Sequence, residues 1–359
     1  MTSPPSNGKT LLITGINGFI ASALGLHVLS KGYSLVGTAR RAATTKALLE
    51  GPYAAFASRV KIVEVPNMTV DGAFDQAVKG VHGIFHTASP INFGLDSYDA
   101  TVVTAEKGSL SLLYSALKAG PQLESVVVTS SVAAIFDSSK PIGYTFTELD
   151  LAFTNFDLAI KEREKQKSIH PGLLYSASKI AAERAVWRFR DEIKPPFAIS
   201  TVNPTVVIGP PVVVAATASS LNETLKPVFE ILSGASETLP PPIGSASYVD
   251  VRDVALIHLW AYENPQKANG ERYLASGGYC PPQVIADILS TSGWEHTTKG
   301  VPGEGYIGYN AASGSVDRIE YPEAQYKLDG RKAEAEMGFT YISAKDSIRD
   351  TAEALKVLL

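Results

Sequence analysis

The stretch TLLITGINGFIA, residues 10–21, runs from a short apolar segment through two glycines into a helical pattern. Gly15 and Gly18 fall in the turn and Ala21 follows one helical turn later, which gives the spacing Gly-x-x-Gly-x-x-Ala. Residues without a side chain let the backbone approach a pyrophosphate, and the free N–H groups at a helix N-terminus favour its negative charge. A glycine pair that only makes a tight turn is the alternative, but its place directly after an apolar strand favours a dinucleotide site. The candidate residues in this turn are Gly15, Asn17, Gly18, Phe19 and Ile20.

Apolar runs and helical patterns continue to alternate as far as Pro204. Strand then helix, repeated, is the sequence form of a doubly wound parallel sheet. The strands of such a sheet are covered on both faces, so they are almost continuously apolar, as SVVVTSS is. We therefore predict an α/β fold with a Rossmann-type sheet. The predicted strands are 10–14, 33–39, 60–65, 83–88, 125–131 and 197–204, and the helical patterns between them are 19–32, 71–80, 104–120 and 173–187.

After Pro204 the alternation ends and proline- and alanine-rich stretches begin. A further helix (248–265) and strand (271–277) follow, and then helical fragments mixed with glycine-rich loops. This order predicts a smaller C-terminal portion that is interleaved with the sheet domain. The predicted division is a disordered start at 1–9, a nucleotide-binding domain at 10–204 plus about 246–280, and a substrate-binding portion at 205–245 plus about 281–359.

The composition of the 359-residue chain, 45% hydrophobic and 19% charged, is that of a compact globular protein. Its net charge of −4 provides no broad basic surface to neutralise a nucleic acid. The single cysteine, Cys280, excludes a disulfide within the chain and a multi-cysteine metal site. No apolar run reaches the roughly 18 residues that span a bilayer, and the start lacks the layout of a signal peptide. We expect a cytoplasmic protein with no metal and with neither nucleic acid nor membrane as a partner.

Two arginines, Arg40 and Arg41, follow the second predicted strand in GTARRAATTK. A carboxylate is expected near this point, about twenty residues after the glycine turn, when the adenosine ribose has a free 2′-hydroxyl. Guanidinium groups instead bind a 2′-phosphate by charge-assisted hydrogen bonds. The pair therefore favours NADPH over NADH, with Arg40 the main candidate; two ordinary surface arginines are the alternative.

The segment HTASP, residues 86–90, follows the fourth predicted strand. Its small residues would let the chain pass close to the cofactor, and Thr87, Ala88 and Ser89 are the candidates. A histidine in or beside an apolar strand is most often a satisfied structural group. We therefore interpret His86 and His82 as structural and assign them no acid–base role.

A serine pair, Ser130 and Ser131, ends the fifth predicted strand at the carboxyl edge of the sheet, where open α/β folds bind ligands. In the helical pattern LLYSASKIAAERAVW, residues 173–187, Tyr175 and Lys179 are four residues apart and therefore share a helix face. A tyrosine titrates near pH 10, and an adjacent ammonium and an oxidised nicotinamide are expected to lower its pKa toward neutrality. In this hypothesis Tyr175 exchanges a proton with a substrate oxygen that a serine holds, while Lys179 also binds the nicotinamide ribose. A chance Tyr-x-x-x-Lys is common, but the other motifs in series favour chemistry.

Seven motifs, taken in order from residue 14 to about 254, resemble those of the extended short-chain dehydrogenases/reductases, and within them the dihydroflavonol-reductase-like aldehyde and ketone reductases. The motifs are TGINGFIA, GTAR, HTASP, VVVTSS, YSASK, NPTVVIGP and YVDVRDVA. The resemblance implies that Ser131 is the catalytic serine and that Pro204, Val206 and Val207 line the nicotinamide. It also places Asn67 and Met68 beside the adenine, although relatives usually have an acidic residue at the first of these positions.

Two departures from that family lie in the segment between Ser131 and Tyr175. The charged stretch KEREKQKSIH, residues 161–170, makes the segment longer than in relatives, and a tryptophan common in relatives is missing from TELDLAFTNF. Both changes fall near the expected cleft, so the substrate need not be a flavonoid. The guesses for an apolar substrate wall are Phe93, Phe136 and Tyr144, each of which is equally consistent with ordinary core.

The function predicted from these observations is that of an NADPH-dependent carbonyl reductase, a monomer or homodimer, acting on an aldehyde, ketone or keto-ester. One alternative is a nucleotide-sugar epimerase or dehydratase with tightly bound NAD. That enzyme needs a diphosphate site, yet residues 205–245 contain no arginine and only one lysine, Lys226. A second alternative is a redox sensor that binds NADPH without turnover; such proteins commonly lose the tyrosine or lysine that this chain keeps.

Overall fold

The computed structural model describes residues 4–89, 97–165, 167–294 and 296–359. The chain forms two compact units. Unit 1 consists of Met1–Ser139, Glu148–Asn203 and Ala255–Tyr273, and unit 2 of Lys140–Thr147, Pro204–Val254 and Leu274–Leu359.

A seven-stranded sheet has the strand order β10-β7-β5-β4-β1-β2-β3. The pairings of β1 with β2 and β4, of β2 with β3, of β4 with β5 and of β5 with β7 are all parallel. The predicted doubly wound α/β sheet is therefore confirmed. The strands of the sheet are β1 (Thr10–Ile13), β2 (Ser34–Ala39), β3 (Val60–Glu64), β4 (Gly83–His86), β5 (Ser125–Thr129), β7 (Ala198–Pro204) and β10 (Arg272–Ala275).

The strand order reverses between β1 and β4, because the chain first adds β2 and β3 on one side of β1 and then β4, β5 and β7 on the other. A crevice forms at such a switch point, outside the carboxyl ends of the strands. Leu11, Leu12 and Ile13 of β1 are fully buried, which explains the apolar run after Thr10.

Eleven α-helices are assigned among the described residues. They are α1 (Phe19–Ser30), α2 (Lys46–Glu50), α3 (Thr104–Ala116), α4 (Phe153–Glu164), α5 (Pro171–Ile193), α6 (Lys226–Ser233), α7 (Val251–Glu263), α8 (Pro265–Ala268), α9 (Pro282–Thr291), α10 (Arg331–Met337) and α11 (Ala344–Leu355). The pattern at 71–80 forms consecutive turns instead of the predicted helix. Gly72 and Gly80 bound it with φ near +74°, a conformation outside the helical region.

The longest of these helices, α5, begins where the imidazole of His170 accepts a hydrogen bond from Gly172 N and Pro171 occupies the first turn. It packs beside α3, and the core of unit 1 between helices and sheet includes Leu112, Val126 and Val186. Residues 161–164 of the charged stretch form the end of α4. In it Arg163 forms an ion pair with Asp99 (2.7 Å), and both side chains are exposed.

Unit 2 contains a three-stranded sheet of order β11-β9-β8 and two two-stranded sheets, β12-β13 and β14-β6. The observed units differ from the predicted domain boundaries. Strand β9 pairs with β8 and β11, and β6 pairs with β14. Unit 2 therefore includes residues 140–147, 246–254 and 274–280, which were predicted to belong to the nucleotide-binding domain. No described helix is long and apolar enough to cross a membrane. The strands of unit 2 are β6 (Thr145–Phe146), β8 (Val206–Ile208), β9 (Ser247–Asp250), β11 (Gly278–Tyr279), β12 (Ile307–Asn310), β13 (Ser315–Glu320) and β14 (Lys327–Leu328).

Candidate active site

The glycine turn lies at the carboxyl end of β1, at the switch point of the sheet. Gly15 has φ +67°, a backbone conformation that strongly favours glycine, and a Cβ on it would make a tight contact of 3.2 Å with Ala88 Cβ. Gly18 N donates to Gly15 O (2.8 Å), and α1 then begins with no side-chain cap on its first N–H groups. The turn thus presents free N–H donors where a pyrophosphate would bind, which fits a dinucleotide.

The two arginines follow β2, and both are exposed. The short 3₁₀ turn after them brings Thr44 Oγ1 to 3.4 Å from Asn17 Nδ2, so the segment that starts with the arginines approaches the glycine turn. The carbonyl of Thr38, on β2, accepts a hydrogen bond from Ile16 N in the glycine turn (2.8 Å). This bond also connects the end of β2 to the turn. Exposed guanidinium groups are available to bind an anion such as a phosphate.

The segment after β4 is tied to β1 by hydrogen bonds. Ala88 N donates to Thr14 Oγ1 (3.0 Å), and the Thr87 hydroxyl donates to Thr14 O. His86 is buried, and its Nδ1 lies 2.9 Å from Thr14 Oγ1. His82 Nδ1 accepts a hydrogen bond from Thr10 N (3.2 Å). Both contacts agree with the structural interpretation of these histidines.

Ser131, Tyr175 and Lys179 are brought together within unit 1. Tyr175 Oη donates to Ser131 Oγ (3.3 Å), and Ser131 Oγ also accepts from Ala133 N (3.1 Å) as the cap of a one-turn 3₁₀ helix. Lys179 Nζ lies 5.7 Å from the centre of the Tyr175 ring and donates to Ser89 Oγ (3.1 Å). Ser131, the serine predicted to be catalytic, is thus hydrogen-bonded to the tyrosine.

Burial dominates the titration of both ionisable groups. It lowers the pKa of Lys179 to about 8, although the nearby Glu183 carboxylate opposes the shift. It raises the pKa of Tyr175, and the hydrogen bond to Ser131 only partly offsets that rise. The predicted lowering of the tyrosine pKa assumed an oxidised nicotinamide beside it; without cofactor the pKa of Tyr175 is raised, because desolvation disfavours the phenolate more strongly than the hydrogen bond from its own hydroxyl to Ser131 favours it.

Glu183, one helical turn beyond Lys179, was missed by the sequence analysis. Its side chain is only 3% exposed, and it accepts hydrogen bonds from the Ser130 hydroxyl, Asn203 Nδ2 (2.7 Å) and Trp187 Nε1 (3.2 Å). Arg272 Nε forms an ion pair with it at 2.5 Å. A buried carboxylate with this number of donors is fully compensated.

This carboxylate is connected to Ser131 through two neighbouring residues. It holds the side chain of Ser130, the preceding residue, and it holds Asn203, whose Nδ2 also donates to Ser131 O (3.2 Å). One signal in the sequence could have indicated it: an acidic residue on the buried face of an amphipathic helix, four positions after Lys179.

The remaining cofactor candidates lie in other segments of the chain. Asn67 is exposed and accepts from Thr69 N (3.0 Å), while Met68 packs against the core of unit 1. Pro204, Val206 and Val207 lie at the end of β7 and in β8 and belong to unit 2.

Of the three candidates for an apolar substrate wall, the structure describes Phe136 and Tyr144. Phe136 is half-buried in unit 1 and its carbonyl accepts from Asn155 Nδ2 (3.0 Å). Tyr144 belongs to unit 2 and stacks edge-on against Phe146, with ring centres 4.9 Å apart. Phe93 lies outside the described residues. Cys280 is buried, and no group of three potential metal ligands occurs among the described residues.

The fold and this site define a class of protein, the extended short-chain dehydrogenases/reductases. The chain belongs to the NAD dependent epimerase/dehydratase family, whose model matches residues 11–275. The predicted family and the predicted oxidoreductase class are thereby confirmed.

Two relatives that match this chain over almost their whole length are named as reductases. The chain is 32% identical to "Cinnamoyl-CoA reductase CAD2" of Medicago truncatula, over 97% of this chain and 96% of that protein. It is 30% identical to "NADPH-dependent methylglyoxal reductase GRE2" of Saccharomyces cerevisiae, over 96% and 98%. The solved structure of the yeast methylglyoxal/isovaleraldehyde reductase Gre2 with NADPH matches with a TM-score of 0.79 and 28% identity, over 97% of this chain and 98% of that one. The NADP(H) prediction thus agrees with the cofactor of relatives.

Proposed function

We propose that this protein is an NADPH-dependent carbonyl reductase that converts an aldehyde, ketone or keto-ester into the alcohol, and catalyses the reverse oxidation. The observation that supports this most directly is the hydrogen bond from Tyr175 Oη to Ser131 Oγ (3.3 Å) with Lys179 one helical turn away. The reductase names of the relatives agree with it.

The cofactor would be held by the residues predicted from the sequence. The glycine turn from Gly15 to Ile20 would bind the pyrophosphate, and Arg40 the 2′-phosphate. Lys179, Thr87, Ala88 and Ser89 would bind the nicotinamide ribose and the adjoining phosphate, with Pro204, Val206 and Val207 near the carboxamide and Asn67 and Met68 near the adenine. NADPH, when bound, supplies the hydride that the carbonyl carbon receives.

The side chains of this site then perform the proton chemistry. Ser131 and Tyr175 both donate to the carbonyl oxygen and orient it, and the proton of Tyr175 moves to that oxygen as negative charge develops there. The alcohol product has gained one hydrogen on carbon, from the hydride, and one on oxygen, from Tyr175. Tyr175 remains as a phenolate. The positive charge of Lys179 stabilises that phenolate until it is reprotonated.

In this mechanism, burial of Tyr175 keeps the proton donor in its protonated form. A raised pKa keeps Tyr175 protonated in the resting protein, so the acid is ready when a carbonyl binds. The nearby ammonium lowers the cost of the phenolate only once the proton has left, which is the moment at which stabilisation accelerates the reaction.

The matched family includes epimerases and dehydratases, but the named relatives that cover almost the whole chain are reductases, which supports reduction over the epimerase alternative. The single lysine of residues 205–245, Lys226, is paired with Glu223 at 2.6 Å and is therefore engaged locally. The test is a panel of aldehydes, cyclic ketones and keto-esters assayed by NADPH absorbance, in parallel with NADH. We expect NADPH consumption with at least one class and weak or no activity with NADH. NADPH binding without turnover across the panel would instead favour the sensor.

A further inference from the structure

The buried imidazole of His86 has one ring nitrogen without a hydrogen-bond partner among the described residues. It ends β4 and is 3% exposed. Its Nδ1 lies 2.9 Å from Thr14 Oγ1, whereas Nε2 has no hydrogen-bond partner among the residues described. A buried polar atom without a partner is destabilising, so its surroundings require an explanation.

The neighbours of Thr14 determine which nitrogen holds the proton. Ala88 N donates to Thr14 Oγ1 (3.0 Å), so that oxygen is already an acceptor and its own hydrogen needs an acceptor. Among the described residues, His86 Nδ1 is the acceptor that the structure provides. Burial lowers the pKa of His86 to about 3, so the ring is neutral and has one N–H. That N–H is therefore on Nε2.

A small cavity of about 20 Å³ adjoins this ring within unit 1. It is lined by His86 of β4, Ser109 of α3, Ser130, and Lys179 and Glu183 of α5. About 10–15 Å³ is enough for one water molecule, which needs two to four polar partners. Lys179 has three N–H donors, and the described residues show one of them engaged, with Ser89 Oγ.

We propose that this cavity is a binding site for one water molecule that accepts hydrogen bonds from His86 Nε2 and Lys179 Nζ and donates to the Ser130 and Glu183 oxygens. His86 is then a positioning residue, because it fixes the water and the water presents an acceptor to the catalytic ammonium. Its effect on turnover rests on the proposed function, whereas the water and the proton position do not.

The charged and titratable groups around Lys179 are few. Tyr175 and Glu183 face it from its own helix and His86 from β4, while α3 and β5 contribute uncharged residues to the cavity. Loss of the fixed water removes one acceptor from the ammonium, which further disfavours its charge. The fall of kcat/KM at alkaline pH, which reports the loss of the ammonium proton, is then expected to move to lower pH by about half a unit or more.

The first test reads the proton directly, by NMR of the protein labelled with ¹⁵N in histidine. We expect neutral His86 with the hydrogen on Nε2, unchanged down to about pH 5, and the His86→Gln variant identifies its signals. A hydrogen on Nδ1, or titration near pH 6, would overturn the proposal. A crystal structure should also show a water within hydrogen-bond distance of both His86 Nε2 and Lys179 Nζ, and a dry cavity would refute it.

The second test uses a matched pair of substitutions. The amide of His86→Gln reaches the place of Nε2, whereas that of His86→Asn reaches only the place of Nδ1. We expect the glutamine variant to keep the alkaline limb of kcat/KM and the asparagine variant to shift it downward, with the KM for NADPH unchanged in both. Equal profiles in both variants would contradict the role of His86. If no carbonyl is reduced at all, only the proposed function fails, because the NMR and crystal results still decide the water site.

Discussion

Lys179 is a charged group in surroundings that disfavour its charge, and this sets the expected pH dependence. Its pKa is lowered to about 8 by burial, and the proposed mechanism needs the ammonium form. We therefore expect kcat/KM for carbonyl reduction, which reports the free enzyme, to be constant below about pH 8 and to fall as the pH rises through that value. Rates from pH 5.5 to 10 under subsaturating substrate test this. A profile that stays flat to pH 10 would contradict it.

Arg40 is the residue on which cofactor preference is predicted to depend. The substitution Arg40→Ala removes a charge-assisted partner of the 2′-phosphate, so we expect the KM for NADPH to rise about tenfold while that for NADH hardly changes. Arg41→Ala is the matched control, with a smaller effect expected. Steady-state assays with both cofactors measure the two ratios, and an unchanged NADPH/NADH preference in the Arg40 variant would reject the assignment.

Among single residues, those with local signals were predictable. Gly15, Ser131, Tyr175 and Lys179 occur in short motifs whose spacing fixes their place on a turn, strand end or helix face. The direction of the tyrosine pKa was not predictable, because it depends on how deeply the phenol is buried, and burial is decided by packing that no motif encodes.

Helix α5 connects the catalytic groups to the sheet through one carboxylate. Glu183 binds Ser130 after β5, Asn203 on β7 and Arg272 on β10, so one side chain aligns three neighbouring strands of the sheet. These partners are far apart in sequence, which is why the element-level pattern indicated a helix and its apolar face but not this network.

For Glu183→Gln we expect kcat to fall at least about tenfold while the KM for NADPH stays within about threefold, because the serine is misplaced but the cofactor site is kept. Loss of the charge also leaves Arg272 without its carboxylate, which for a buried pair costs about 3–5 kcal/mol of stability. Assays well below the unfolding temperature separate the two effects. Glu192→Gln, on an exposed position of the same helix, is the control. Wild-type kcat in the Glu183 variant would refute the positioning role.

At the scale of the whole molecule, the sheet was predictable and the division of the chain was not. The apolar runs predicted the strands of the seven-stranded sheet to within about two residues, since burial on both faces leaves a strong local signal in its central strands. The pairing of Thr145–Phe146 with Lys327–Leu328 joins distant segments of two residues each, too short to leave any pattern. Oligomeric state and cytoplasmic location stay predictions.

The most direct test of the proposed mechanism is the turnover of Tyr175→Phe, a change that deletes only the hydroxyl. A general acid contributes about 10²–10⁴-fold, so we expect kcat for carbonyl reduction to fall at least a hundredfold while NADPH affinity stays within about threefold. The exposed Tyr114→Phe makes the same deletion elsewhere and should leave both unchanged. Wild-type turnover in Tyr175→Phe would contradict the assignment of this tyrosine as the proton donor.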